Sequence, residues 1–181
     1  SSRGGRCSCG ERWAGGLMPG LLGTTLSTQS IAFEGEGGGS GITTAVKTAD
    51  QSFSATALAD VTDLAISLAA NTTGTFHFNG SFFSAAATTG LVISLSTPAT
   101  TSYRNYRASI ATSNTAVFQS GATADNTRLV GTAGLTGGLL PWYLDATVVN
   151  GSASGNVTLR AGSEVGASAV TISRGAFGWK A

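Results

Sequence analysis

The only histidine of the chain, His77, lies between two phenylalanines in Thr75-Phe76-His77-Phe78-Asn79-Gly80. Histidine serves as a general base only with an orienting acid and a nucleophile within reach. The chain has no Gly-x-Ser-x-Gly elbow, and the acids nearest to His77 in sequence are Asp60 and Asp63. Strand alternation sends Phe76 and Phe78 to one face and Thr75, His77 and Asn79 to the other. With the phenylalanines in the core, His77 is expected to face solvent or a neighbouring subunit as an ordinary strand residue.

The carboxylates are scattered. Glu11, Glu34 and Glu36 precede residue 42, and Asp50, Asp60, Asp63, Asp125, Asp145 and Glu164 come after it. A glycosidase needs two facing carboxylates. Asp60-Val61-Thr62-Asp63 is the close pair, and it reads as a turn entering a strand at Leu64 rather than as a calcium loop. Cys7 and Cys9 form a Cys-Ser-Cys without further ligands, and a disulfide at that spacing would be strained. The expectation is therefore no catalytic residue, no cofactor and no metal.

Contact chemistry is better represented. Thr101-Ser102-Tyr103-Arg104-Asn105-Tyr106-Arg107 repeats a Tyr-Arg pair at a spacing of three. Tyr and Arg are favoured at interface hot spots and over sugar rings. Tyr103, Arg104, Tyr106 and Arg107 are read as a contact loop for a neighbour or a glycan; the competing reading is an edge strand whose Arg stems cover apolar surface. Of Trp142 and Tyr143, alternation puts one ring inside and the other outside. The sequons at Asn71, Asn79, Asn150 and Asn156 are read as turns, because Asn-Gly and Gly-Asn dipeptides favour tight reversals. Gly35–Gly41 lacks the lysine of a phosphate loop.

The elements that must carry these residues are strands. After Gly41, apolar residues alternate at Leu64/Ile66/Leu68, Phe76/Phe78, Leu91/Ile93/Leu95, Leu144/Ala146/Val148, Val157/Leu159 and Val170/Ile172. Short runs of this kind, broken every 8–15 residues by Gly, Asn, Ser and Thr, predict an all-β fold. Eight or nine strands are expected among 43–48, 52–58, 64–69, 75–84, 90–97, 106–112, 115–119, 142–149, 156–161 and 168–174. The fold class is a two-sheet antiparallel β-sandwich, jelly-roll-like, with an extended Gly-rich N-terminal arm.

The predicted boundary falls near residue 42, with an arm and Gly hinge over 1–41 and the sandwich over 42–181. Ordering that many Gly-rich residues costs about 1–2 kcal/mol each. Burial of Trp13, Leu17, Met18, Leu21, Leu22, Ile31 and Phe33 returns about 1.5–3 kcal/mol each. These residues are candidate assembly contacts, seated on neighbouring subunits or wrapped around their own domain.

Composition limits the partners. Charged residues make up 10% of the 181 and the net charge is +1. That supplies no general attraction for phosphate, so nucleic acid is not expected. No apolar run reaches the roughly 18 residues that span a bilayer, and no membrane partner is expected. A weakly charged surface suits a protein covered by copies of itself or by a partner.

One segment adds a resemblance. Val46-Lys47-Thr48-Ala49-Asp50-Gln51-Ser52 is succeeded by Leu58, Asp63-Leu64, Leu68-Ala69-Ala70-Asn71-Thr72-Thr73 and Ala161-Gly162-Ser163. This order resembles tailed-bacteriophage virion proteins whose small β-sandwich domains decorate capsids or form head and tail fibres. The resemblance spans roughly 42–175. It implies a non-enzymatic, often trimeric protein on the outer surface of the virion, in contact with itself and with other virion proteins such as the major capsid protein. Asp50 and Asn71 would sit at turns and Gly162 where the backbone needs freedom; no catalytic residue is implied. The alternative function is a tail-fibre or receptor module that binds carbohydrate through Tyr103, Tyr106, Trp142 or Tyr143.

Overall fold

The computed structural model describes residues 42–181. The arm, with Trp13, Leu17, Met18, Leu21, Leu22, Ile31 and Phe33, lies outside the described residues. In chain order the strands are β1 (Thr43–Val46), β2 (Gln51–Phe53), β3 (Ala59–Leu68), β4 (Thr73–Ser84), β5 (Leu91–Ser96) and β6 (Tyr103–Ala111). They continue with β7 (Val117–Ala122), β8 (Leu129–Val130), β9 (Leu140–Val149), β10 (Gly155–Ser163), β11 (Val170–Ile172) and β12 (Phe177–Lys180). No helix occurs among the described residues.

Two antiparallel sheets face each other. The larger has eight strands in the order β1-β12-β4-β9-β6-β7, with β11 also on β4 and β2 on β11; the smaller is β3-β10-β5-β8. The all-β sandwich expected from the alternation is the fold observed. Phe76, Phe78, Phe82, Tyr106, Ile110, Trp142 and Leu144 from the large sheet meet Leu64, Ile66, Leu68, Ile93, Leu95, Val157 and Leu159 from the small one. At about 25 cal/mol per Å² of apolar surface, this contiguous cluster is the main source of stability.

The period-2 pattern is plainest in β9, where Leu140, Trp142, Leu144, Ala146 and Val148 are buried and the residues between them are not. Alternation put one ring of Trp142 and Tyr143 inside: it is Trp142 that points into the core, while Tyr143 is 54% exposed. In β4, Phe76 and Phe78 are buried, and His77 faces the opposite side.

Three local expectations are corrected. Asn79-Gly80 is no turn; both residues lie inside the twelve-residue β4. Glycine is needed there for space: a Cβ would lie 2.7 Å from Ala176 Cβ and 2.9 Å from Trp142 Cζ2. Asp60–Asp63 is not a turn before a strand but part of β3, at a bulge where partners jump from Thr158↔Ala65 to Arg160↔Asp60. Asp63 takes a positive φ of 69° there. Finally, the closing Phe177-Gly178-Trp179-Lys180, outside the expected strands, forms β12 and is inserted between β1 and β4. The sequon at Asn71 does mark a turn, with φ 55°.

Candidate functional site on the outer face of the large sheet

The core-averted face of the large sheet brings together side chains from distant parts of the sequence. Register aligns one row across six strands: Thr44, Trp179, His77, Asp145, Arg107 and Gly121. Two residues along, the next row is Val46, Phe177, Asn79, Tyr143, Ser109 and Gln119. Strands spaced about 4.8 Å apart make this a surface roughly 24 Å wide.

Its centre is a three-part contact. His77 Nδ1 is 2.7 Å from Asp145 Oδ1. The imidazole stacks on the Trp179 indole with centroids 4.1 Å apart and planes 20° from parallel. An Asp–His hydrogen bond is also the orienting half of a hydrolase triad. Around His77 the register sets Trp179, Thr75, Asn79, Tyr143 and Thr147. Alternation placed His77 on this face. Its partners lay beyond sequence reasoning, because Asp145 is 68 residues away. The signal available for the third partner was the Phe-Gly-Trp alternation of the last segment.

The repeated Tyr-Arg pairs are not a loop. They form the start of β6, an interior strand between β9 and β7. A spacing of three puts like residues on opposite faces of a strand. Tyr103 and Arg107 therefore face outward, with Tyr103 50% exposed and Arg107 opposite Asp145. Tyr106 is 1% exposed, and its hydroxyl donates toward Ala124 O at 2.8 Å and Thr127 O at 3.2 Å. Arg104 pairs with Asp125 at 2.9 Å and donates to Thr101 O. Tyr106 and Arg104 are thus structural.

Two concavities interrupt the surface. A dimple of about 30 Å³, room for one water, is lined by Arg107, Ala108, Ser109, Gln119, Tyr143 and Asp145. A shallow groove of about 490 Å³ is lined by Phe83, Leu139, Asp50 and Arg174 among others. Asp50 Oδ1 accepts from Arg174 N at 2.7 Å, which ties that carboxylate into the turn before β12.

The Val46–Ser52 segment proves to be a polar stitch. Lys47, 2% exposed, donates to Gln51 Oε1 at 2.9 Å. Gln51 Oε1 in turn accepts from Thr62 N, and Gln51 Nε2 donates to Asp60 O. Thr48 donates through N and Oγ1 to Asp63 Oδ2 at 3.2 and 2.8 Å. Those bonds hold the Asp63 carboxyl below its ordinary pKa. Burial pushes the Lys47 ammonium below the usual lysine value, against the pull of Asp63 and Asp50. Gly162 lies within β10, where a Cβ would come 3.0 Å from Ala57 O, so close approach of the chain is its constraint. Among the described residues, no three His, Cys, Asp or Glu side chains are grouped to hold a metal.

No protein-family model matches this chain, and no curated protein or solved structure matches it.

Proposed function

We propose that this chain is a non-enzymatic virion structural protein that decorates or cements a phage capsid, using its N-terminal arm and the sandwich surfaces. The observation that carries this reading is the outer face of the large sheet. It is broad, and it sets Val46, Phe177, Trp179 and Tyr143 among Thr, Ser, Asn and Gln. Its Asp145 and Arg107 oppose each other in register, so their charges offset. A surface with aromatic anchors and little net charge suits extended contact with protein. Many copies on one shell would add modest contacts by avidity. The resemblance of the stretch from Val46–Ser52 to Ala161-Gly162-Ser163 to phage decoration and fibre proteins gives the context, with further copies of this chain and the major capsid protein as partners. Antibody labelling of intact particles in the electron microscope tests the proposal. Label spread over the head shell is expected; particles without label would overturn it.

A second reading, a tail-fibre or receptor module that binds carbohydrate, is favoured by one feature of the same face. Tyr143, Arg107, Asp145 and the His77–Trp179 stack combine ring surfaces with hydrogen-bonding groups. Glycan-array binding that disappears in both Tyr143→Ala and Trp179→Ala would select it, together with label confined to the tail.

A further inference from the structure

Among the described residues, the unpaired edges of the two sheets are not alike. In the small sheet, edge strand β3 carries Asp60 and Asp63 and a bulge opposite Thr158–Arg160, and β8 at the other edge has two residues. Charge, bulges and shortness are the usual protections against edge-to-edge pairing. In the large sheet, β1 has four residues and runs into Lys47, and β2 has three. Strand β7 has none of these protections. It is six residues long, Val-Phe-Gln-Ser-Gly-Ala, with no charge, no proline and one unbroken register on β6.

Its backbone groups can be assigned. Thr112 N donates to Ala116 O at 2.8 Å where the β6–β7 hairpin closes. From there the ladder runs in register from Ala111↔Val117 to Tyr106↔Ala122. Antiparallel ladders alternate between hydrogen-bonded and non-hydrogen-bonded pairs. Phe118, Ser120 and Ala122 therefore turn their N–H and C=O toward β6, and Val117, Gln119 and Gly121 turn theirs outward. The three outward residues, with one N–H and one C=O each, present six groups that enter no hydrogen bond among the described residues.

We propose that β7 is the docking edge for a second copy of this chain, pairing antiparallel with its own β7 about a two-fold axis at Gln119. The sequence is self-complementary in that register. Val117 faces Gly121 of the second copy, Phe118 faces Ser120, and Gln119 faces Gln119, so a large side chain meets a small one at each unlike pair. All the outward groups meet outward groups, which makes six hydrogen bonds. A slip of two residues in either direction leaves four, and a slip of one sets outward groups against inward ones. Residues of the same face stay on the same side across the axis, so the Trp179–Tyr143 surface continues from one copy to the next. This proposal stands apart from the virion reading, since it rests on the β7 backbone alone.

Sedimentation velocity of the full chain over a concentration series tests it, with wild type beside Gln119→Pro and Gln119→Lys. Proline at 119 removes an N–H that β6 does not use, so the strand is kept while two of the six intermolecular bonds vanish by symmetry. Lysine at 119 sets like charges opposite each other, and salt screens them. Wild type is expected to move from the 18.0 kDa single-chain mass to twice that value. Both variants should raise the midpoint concentration at least about ten-fold, with circular dichroism unchanged and the lysine effect alone shrinking in high salt. Wild type that keeps a single-chain mass throughout overturns the proposal and leaves an extended peptide of another protein as the occupant. Association that both variants leave unchanged overturns it equally.

Discussion

Gly80 stands opposite Trp142 on the neighbouring strand, and the missing Cβ of the glycine is where the indole edge and Ala176 meet. A methyl group at Gly80 would contact Trp142 Cζ2 at 2.9 Å and Ala176 Cβ at 2.7 Å, both below ordinary packing distance. Gly80→Ala gains at most about 1 kcal/mol from the stiffer unfolded chain. Overpacking costs about 1–3 kcal/mol, so overpacking wins. A lower denaturant midpoint with an unchanged slope is the expected result; a variant as stable as wild type would show that Trp142 and Ala176 move aside freely.

The two tyrosines of the repeated pair should respond in opposite ways. Tyr106→Phe strips the hydroxyl that donates toward Ala124 O and Thr127 O and lies 3.3 Å from the buried Ser94 Oγ. Leaving the buried Ser94 hydroxyl without its partner costs about 1–3 kcal/mol. Tyr103→Phe, on the exposed face, should stay within about 0.5 kcal/mol of wild type. Equilibrium unfolding of both variants checks the split, and equal losses would contradict it.

Asp63 links stability to acid. Its folded-state pKa is lowered by the Thr48 hydroxyl and amide, so its contribution is fully present above the unfolded carboxyl pKa and is lost as pH falls through the folded value. Asp63→Asn keeps a residue type that tolerates the positive φ but removes the charge. Wild type should therefore be the more stable at neutral pH. The two proteins should converge below about pH 4. Chemical unfolding between neutral pH and the acid limb measures the gap; a gap that widens in acid would refute the assignment.

Lys47 should act at the other end of the scale. Burial lowers its folded-state pKa, so the unfolded chain binds more protons in the alkaline window below the usual lysine value of about 10.4. Stability of wild type then rises with pH through that window, relative to Lys47→Met. Methionine keeps the buried stem and removes the charge, and at neutral pH its net cost should be small, about 1 kcal/mol or less. Thermal unfolding of the pair at neutral and alkaline pH distinguishes this from a charge that stabilises outright, which would make Lys47→Met costly at pH 7.

Periodicity was a sound guide to faces and a poor one to edges and ends. Phe76, Phe78, Leu144, Val157 and Leu159 are buried as alternation required, because a strand with one dry face has little other choice. Asn79-Gly80 misled, since the same dipeptide that suits a tight turn also suits a strand position under a large neighbouring ring. The Tyr-Arg repeat misled because its spacing of three suggests adjacency, whereas a strand places those residues on opposite faces.

Legible in the sequence alone were the all-β character of the chain after residue 42, the apolar runs that enter the core, and the outward position of His77. These rest on local chemistry, the two-residue period of an extended chain and the transfer of apolar surface out of water. Long-range pairing set the rest: β12 enters between β1 and β4, Trp179, His77, Asp145 and Arg107 share one row, and β7 is left as an uncharged edge among the described residues. Strand order is set by which edges meet across long stretches of chain. The free energy of that choice lies in packing and hydrogen bonds between distant segments, which no local pattern records.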